Sequence, residues 1–270
     1  MKLITSRDNP IFRHLVKLKG SARQRRTAGQ TLLDGAHLVS DYNLVLGPAE
    51  SLVVSEAGSA IAEIKQLLAE HARRGGGDVA MLSDALFREI SPVTTPSGVM
   101  ALIPIPPPET IPFHQSKSGF CVLLEAMQDP GNVGSILRSA AAAGASKIYM
   151  SDGCADAWAP KTLRAAMGAH FLLRIYERSD LVEVARTFKG RVVASTLKAK
   201  NSLYQLRLTG PTAFVFGSEG TGLSEAMLQA STEQVTIPMP GGMESLNAAA
   251  AAAVCFFEKV RQIKTEACNS

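Results

Sequence analysis

Residues 120–138 read FCVLLEAMQDPGNVGSILR. The five apolar residues Phe120–Leu124 have no polar alternation, so they form a strand buried on both faces. Asp129-Pro130-Gly131 is a turn, and Asn132 is suited to cap a helix over 132–144. That helix buries Val133, Ile136, Leu137, Ala140 and Ala141. Arg138 lies off the apolar stripe, less than two turns from the helix start.

The strand–turn–helix unit repeats toward the carboxyl terminus. Strands are expected at Lys147–Met150, 170–176, 191–196, 213–216 and 235–237. Helices are expected at 160–168, 180–188, 224–230 and 245–264, the first opened by Pro160. Apolar strands alternating with helices make an α/β domain with a Rossmann-like, mostly parallel sheet covered on both faces. Toward the amino terminus, IPIPPPETIPFHQSKSG (103–119) carries five of the chain's fourteen prolines. Proline neither continues a helix nor donates to a ladder, so residues 106–118 read as a linker. It divides a domain at 119–270 from a smaller α/β domain at 1–105. There a helix is expected over 59–74, the run RRGGGD (73–78) after it, and strands at 52–54, Val79–Leu82 and 99–103.

The chain has 270 residues, 46% hydrophobic and 19% charged, which excludes a disordered or collagen-like polymer. It holds no apolar run long enough for a membrane span and no apolar leader, so no membrane partner is expected. Cys121, Cys154, Cys255 and Cys268 show no CxxC spacing, which leaves a reducing cytoplasm as the expected location. The net charge of +4 hides an asymmetry: residues 1–30 hold eight Lys or Arg against Asp8 alone, and the rest is mildly acidic. A basic arm with Arg7, Arg23, Arg25 and Arg26 suits a polyanion such as RNA, and equally a solvated basic helix.

In parallel α/β sheets ligands sit at the carboxyl ends of the strands. Three loops there carry unusual residues. The first (125–138) puts a helix start beside Arg138, which suits an anion and also an ordinary capped helix. The second, GSEGTGL (217–223), has three glycines in six residues, so its backbone can approach a ligand closely. Glu219 is a hydrogen-bond acceptor within it. The loop is neither GxGxxG nor a Walker P-loop. The third, PMPGGMESLN (238–247), precedes six alanines, with Ser245 a candidate helix cap and the alanines allowing close packing. Other signals are weak. Ser195-Thr-Leu-Lys198 matches S-x-x-K without its companion motifs. The five histidines form no metal-ligand pattern, so no metal is expected. Trp158 reads as a packing residue.

The three loops together resemble the three motifs of the SpoU (TrmH-like) RNA 2′-O-ribose methyltransferases of the SPOUT superfamily. The matching strings are DPGNVGSILRSA, FVFGSEGTGLSE and IPMPGGMESLNAAAAA. ITSRDNP, the basic stretch to Arg26 and LLDGAHLV are similar to that family's substrate-binding domain, so the resemblance covers nearly the whole chain. It implies a carboxyl-terminal deep trefoil knot, a feature otherwise almost absent from proteins. It implies S-adenosylmethionine held by Ser195, Thr196, Leu197, Gly217, Ile237, Met239, Ser245 and Leu246. Arg138 is the implied catalytic arginine, with Asn132, Glu219, Ser245 and Asn247. A homodimer packed through knot helices and an RNA substrate, ribosomal in the first instance, are also implied. Ala249 departs from the family's usual Ser, and Leu33-Asp34-Gly35 from its Val-Glu-Gly. A transfer-RNA methyltransferase and an RNA-binding assembly protein with a vestigial cofactor site are the alternatives. A nucleotide-binding oxidoreductase lacks its GxGxxG and following acid here.

Overall fold

The computed structural model describes residues 2–111 and 119–269. Of the expected linker, 112–118 lie outside the described residues, as do the side chains of 268–270 and hence the Cys268 thiol. The chain forms two compact units: Met1–Pro107 with Trp158–Phe171, and Pro108–Ala157 with Leu172–Ser270. Residues 158–171, which the sequence places with the carboxyl-terminal part, cluster instead with the first unit.

The first unit has strands β1 (Leu3–Ile4), β2 (Gln30–Asp34), β3 (Ser51–Ser55), β4 (Val79–Leu82) and β5 (Val99–Pro104) in the order β1-β4-β3-β5-β2. The first, third and fourth run parallel, and β5 is antiparallel to both its neighbours. Helix α1 (Pro10–Gly20) is capped by Asn9 and has Pro10 in its first turn. Its Phe12, Leu15 and Leu18 share one stripe and enter a core with Leu32, Val53, Leu82, Phe87 and Met100. α2 (Ala22–Ala28), α3 (Ala36–Leu46), α4 (Ala62–Arg73) and α5 (Asp84–Ile90) complete the run to residue 107.

The returning segment is built into this unit. Thr31 Oγ1 donates to the Trp158 carbonyl at 2.6 Å, and Trp158 is buried 5.0 Å from the His170 ring. The tryptophan packs, as its sequence context implies. Arg164, on the helix Pro160–Ala166, donates to buried Asp34 at 2.6 Å. Burial raises the Asp34 pKa, while the guanidinium lowers it. The strand expected over 170–176 is shorter. Residues Ala169–Phe171 form a 3₁₀ turn that carries buried His170, and extended pairing begins only at Arg174.

In the second unit the strands are β6 (Phe120–Leu124), β7 (Lys147–Met150), β8 (Arg174–Tyr176), β9 (Arg191–Ser195), β10 (Asn201–Ser202), β11 (Thr212–Phe216) and β12 (Glu233–Thr236). They lie in the order β10-β12-β9-β11-β6-β7-β8, and every pairing is parallel. The expected α/β class with a parallel sheet is thus what folds. β6 and β11 are buried throughout and lie at its centre, as uninterrupted apolar runs require. The helices of this unit are α6 (Pro130–Ala142), α8 (Leu181–Thr187), α9 (Glu225–Ala230) and α10 (Ala248–Asn269); α7 is the helix Pro160–Ala166, counted with the first unit. Phe120, Phe214 and Phe256 pack edge-on or tilted, 5.2–5.8 Å apart, tying α10 to the sheet.

Two caps differ from expectation. Helix α6 starts at Pro130, and Asp129, not Asn132, accepts the first free N–H, from Asn132 at 2.7 Å. Proline has no N–H to lose and a preset φ, so it takes the first helical position and moves the cap back to Asp129. Helix α10 starts at Ala248, where Asn247, not Ser245, accepts from Ala249 N–H at 2.9 Å. Among the described residues no helix is long and apolar enough to cross a membrane.

Candidate active site

The geometry follows from three neighbouring parallel strands. β12, β9 and β11 are adjacent, with Val235 opposite Ser195 and Ala194 opposite Val215, so their carboxyl ends are level. The chain leaves those ends as 196–198, 217–223 and 237–247. These segments enclose a cleft of about 710 Å³, a size that takes a nucleoside-scale ligand.

All the residues expected to hold a cofactor line this cleft: Ser195, Thr196, Leu197, Gly217, Ile237, Met239, Ser245 and Leu246. Glu219 and Asn247 line it too. Its walls combine the aliphatic Leu197, Leu223, Ile237 and Leu246 with the backbone of the glycine loop. That loop closes on itself through a bridge between Ser218 and Gly222. A Cβ on Gly217 would fall 2.3 Å from the Gly222 carbonyl, so only glycine permits the closure.

Asn132 does not line the cleft, but it joins two loops that do. Its side-chain Nδ2 donates to Glu219 Oε1, and its Oδ1 accepts from Asn247 Nδ2 at 2.9 Å. Asn247 Oδ1 meanwhile accepts the first helical N–H groups of α10, which fixes its amide orientation. The shift of the α6 cap to Asp129 is what frees the Asn132 amide for this bridge.

Arg138 is exposed on α6, makes no ion pair or hydrogen bond among the described residues, and does not line the cleft. Lys198 does line it. It is the Lys of the S-x-x-K match, whose companion motifs the sequence lacks. The usable signal was simpler: it sits three residues past a strand end at the ligand edge of the sheet. Burial pushes Cys121 and Cys255 up to about 12, so neither thiol supplies a thiolate near neutral pH. Among the described residues no group of three or more His, Cys, Asp or Glu is arranged to hold a metal.

The four arginines of the basic arm separate. Arg23 and Arg26 are exposed on α2 without ion pairs among the described residues. Arg7 is exposed and pairs with Glu89 at 2.9 Å. Arg25 is a correction to the expected set. It is buried and donates to the Leu18 and Lys19 carbonyls, closing the end of α1.

A model of the SpoU rRNA methylase family matches residues 119–257, a span that contains all three loops and the strands that bear them. The chain belongs to that family. Residues 9–101 match an MRM3-like substrate binding domain. The SpoU chain is 32% identical to an uncharacterised tRNA/rRNA methyltransferase of Synechocystis over 96% of its own length and 93% of that protein's. It is 27% identical to the 23S rRNA (guanosine(2553)-2′-O)-methyltransferase RlmP of Bacillus subtilis, over 95% of this chain and 98% of that one. The crystal structure of an AdoMet-bound rRNA methyltransferase from Sinorhizobium meliloti superposes with a TM-score of 0.82 at 27% identity. It covers 97% of this SpoU chain and 98% of its own.

Proposed function

We propose that this chain transfers a methyl group from S-adenosylmethionine to a ribose 2′-hydroxyl of ribosomal RNA. The observation that carries the reading is that the second and third family loops line one cleft at the carboxyl edge of the sheet, with the first tied to both through Asn132. Methyltransferases named for ribosomal RNA and aligned over nearly the whole chain support it.

The cleft fits the donor by the chemistry of its lining. Leu197, Leu223, Ile237 and Leu246 offer aliphatic faces to a flat heteroaromatic base, and the turns at 217–222 and 237–246 offer backbone polar groups to its edges. When bound, the donor supplies an electrophilic methyl group on a sulfonium. Arg138 has no competing carboxylate among the described residues, so its guanidinium is available to hold negative charge developing on the 2′-oxygen. A guanidinium donates hydrogen bonds and offers no acceptor, so a phosphate or solvent takes the hydroxyl proton. Asn132, Glu219 and Asn247 hold the loops in register, and Ser245, lining the cleft beside Leu246, would border the donor.

The family reading extends to finer features. The carboxyl-terminal segment is a deep trefoil knot, and the chain is a cytoplasmic homodimer packed through knot helices. An Arg138 that does not line the cleft of its own chain reaches a reacting hydroxyl at that interface. The first unit binds the RNA, with Arg7, Arg23 and Arg26 as phosphate contacts.

Mapping of 2′-O-methyl groups in RNA from cells lacking the protein tests the reaction. One ribosomal position is expected to lose its methyl group and to regain it with purified protein and S-adenosylmethionine. A loss confined to transfer RNA would move the substrate, and no loss anywhere would remove the reaction.

A further inference from the structure

The glycine loop that walls the cleft is held by two side chains from outside it among the described residues. Asn132 takes its middle, through Glu219. The other is Glu125, whose place in the site neither motif spacing nor family likeness assigns. Its Oε1 accepts from Ser224 Oγ at 2.7 Å and its Oε2 from the Ser224 backbone N–H at 2.8 Å. Both carboxylate oxygens therefore grip the residue that ends the loop. A carboxylate accepting two such bonds makes stronger contacts than neutral acceptors do.

The base of this strut is fixed. Glu125 N–H donates to the Phe216 carbonyl at 2.9 Å, which carries the β6–β11 ladder one residue past its last pair, Leu124 with Phe216. The next residue, Ala126, has φ +50°, a left-handed conformation unusual for a residue with a side chain. Its N–H is held by Ser151 Oγ at 2.9 Å, and the Met127 N–H by Cys154 Sγ at 3.3 Å. The far end is fixed as well, because Ser224 Oγ accepts from Met227 N–H and caps α9. The loop thus leaves the sheet at Phe216, folds back between Gly217 and Gly222, and is caught at Ser224 by a carboxylate from the neighbouring strand.

We propose that Glu125 is a positioning residue that keeps the 217–224 loop in its cleft-lining form. The donor affinity it confers rests on the reading given under Proposed function. Glu125 does not line the cleft, so it acts through the loop and not on the donor.

Hydrogen exchange and calorimetric titration, both on the full chain, test this. Glu125→Ala is expected to speed amide exchange in 217–224 without ligand and to raise the Kd for S-adenosylmethionine about tenfold. The turnover at saturating donor should stay within about twofold of wild type. Glu125→Gln keeps one acceptor and should recover part of the affinity. Ser224→Ala should resemble Glu125→Ala, and the double variant should add little to either. Unchanged exchange in 217–224, unchanged donor affinity, or fully additive losses would each overturn the proposal. If Glu125→Ala does not fold, the Gln and Ser224 variants carry the same comparison. A wild-type protein that takes up no donor would remove the donor reading, while faster exchange in the variant would still support the strut.

Discussion

Two glycine runs show how similar composition serves opposite ends. In the first unit, Gly76 and Gly77 lead from α4 toward β4. A Cβ on Gly76 would fall 2.3 Å from the His71 ring, and one on Gly77 would fall 1.8 Å from the Glu50 carbonyl. His71 bonds back to the Gly77 carbonyl at 3.0 Å, so that run is sealed against its own unit. In the second unit, Gly217 to Gly222 close on one another, and the loop's other surface lines the cleft. Close backbone approach is the shared device. What differs is whether the approach fills space or frames it.

The same contrast separates the charged residues, and breaking it gives predictions of decreasing size. Arg138 stands on the open side. Arg138→Ala should lower turnover by roughly 10²–10³ while donor affinity, read by titration, stays within about twofold. Arg138→Lys should rescue little, because a point charge does not replace a fork. Equal loss of donor affinity would show that Arg138 belongs to binding and not to chemistry.

The glycines come next. Gly217→Ala should weaken donor binding by roughly 10–100-fold, because clearing the Gly222 carbonyl costs the cleft-lining loop about 1–3 kcal/mol, with little change in Tm. Gly77→Ala should do the reverse, costing about 3 kcal/mol and roughly 10 °C of Tm with donor affinity kept. Matching profiles for the two variants would erase the distinction.

Lys259 is a sealed cation. Its ammonium is buried on α10 and donates to the Leu208 and Gly210 carbonyls at 2.6 and 2.7 Å and to Thr212 Oγ1 at 3.2 Å. Loss of hydration lowers its pKa to about 8. The unfolded chain keeps the proton up to the ordinary lysine range, so between these values it binds more protons than the folded chain. The Lys259 contribution to stability therefore rises with pH across that window, by at most about 3 kcal/mol, while Cys121 and Cys255 pull the other way as their unfolded thiols ionise. Urea unfolding at pH 8 and pH 10 should show stability changing less favourably with pH in Lys259→Met than in wild type.

The smallest effects lie on α2. Joint Arg23→Ala and Arg26→Ala should weaken RNA binding a few-fold and flatten its salt dependence, with no change in Tm. Arg25→Ala should lower stability by about 1–3 kcal/mol and leave the salt slope as it was. An Arg25 variant that altered the slope would return that residue to the RNA surface.

Sequence carried the second unit well for a physical reason. Its central strands β6 and β11 are buried on both faces, so they read as apolar runs, and parallel connections leave ligand loops after every strand. The loops were legible because they follow strand ends at the ligand edge of the sheet; the individual lining residues came from the family resemblance. Caps were less legible. Asp129 and Asn132 are both good acceptors, and Pro130 decides between them. Arg25 could not be told from Arg23 or Arg26, since a cation looks the same whether its end meets water or a carbonyl. The partner of 158–171 was also hidden, because Asp34 and Arg164 are 130 positions apart. Helical periodicity marks a buried face without saying what buries it.

That returning segment has a consequence for synthesis. As the chain emerges, residues 1–107 come out well before the helix that answers the Asp34 carboxylate. Until Arg164 arrives, that acid has no cation to offset its burial, so the amino-terminal unit stays unfinished on the ribosome. By then β6 and β7 have already been made. Domains usually fold in order from the amino terminus. Here the first can close only after the second has begun, and neither can be exchanged between chains as a contiguous cassette.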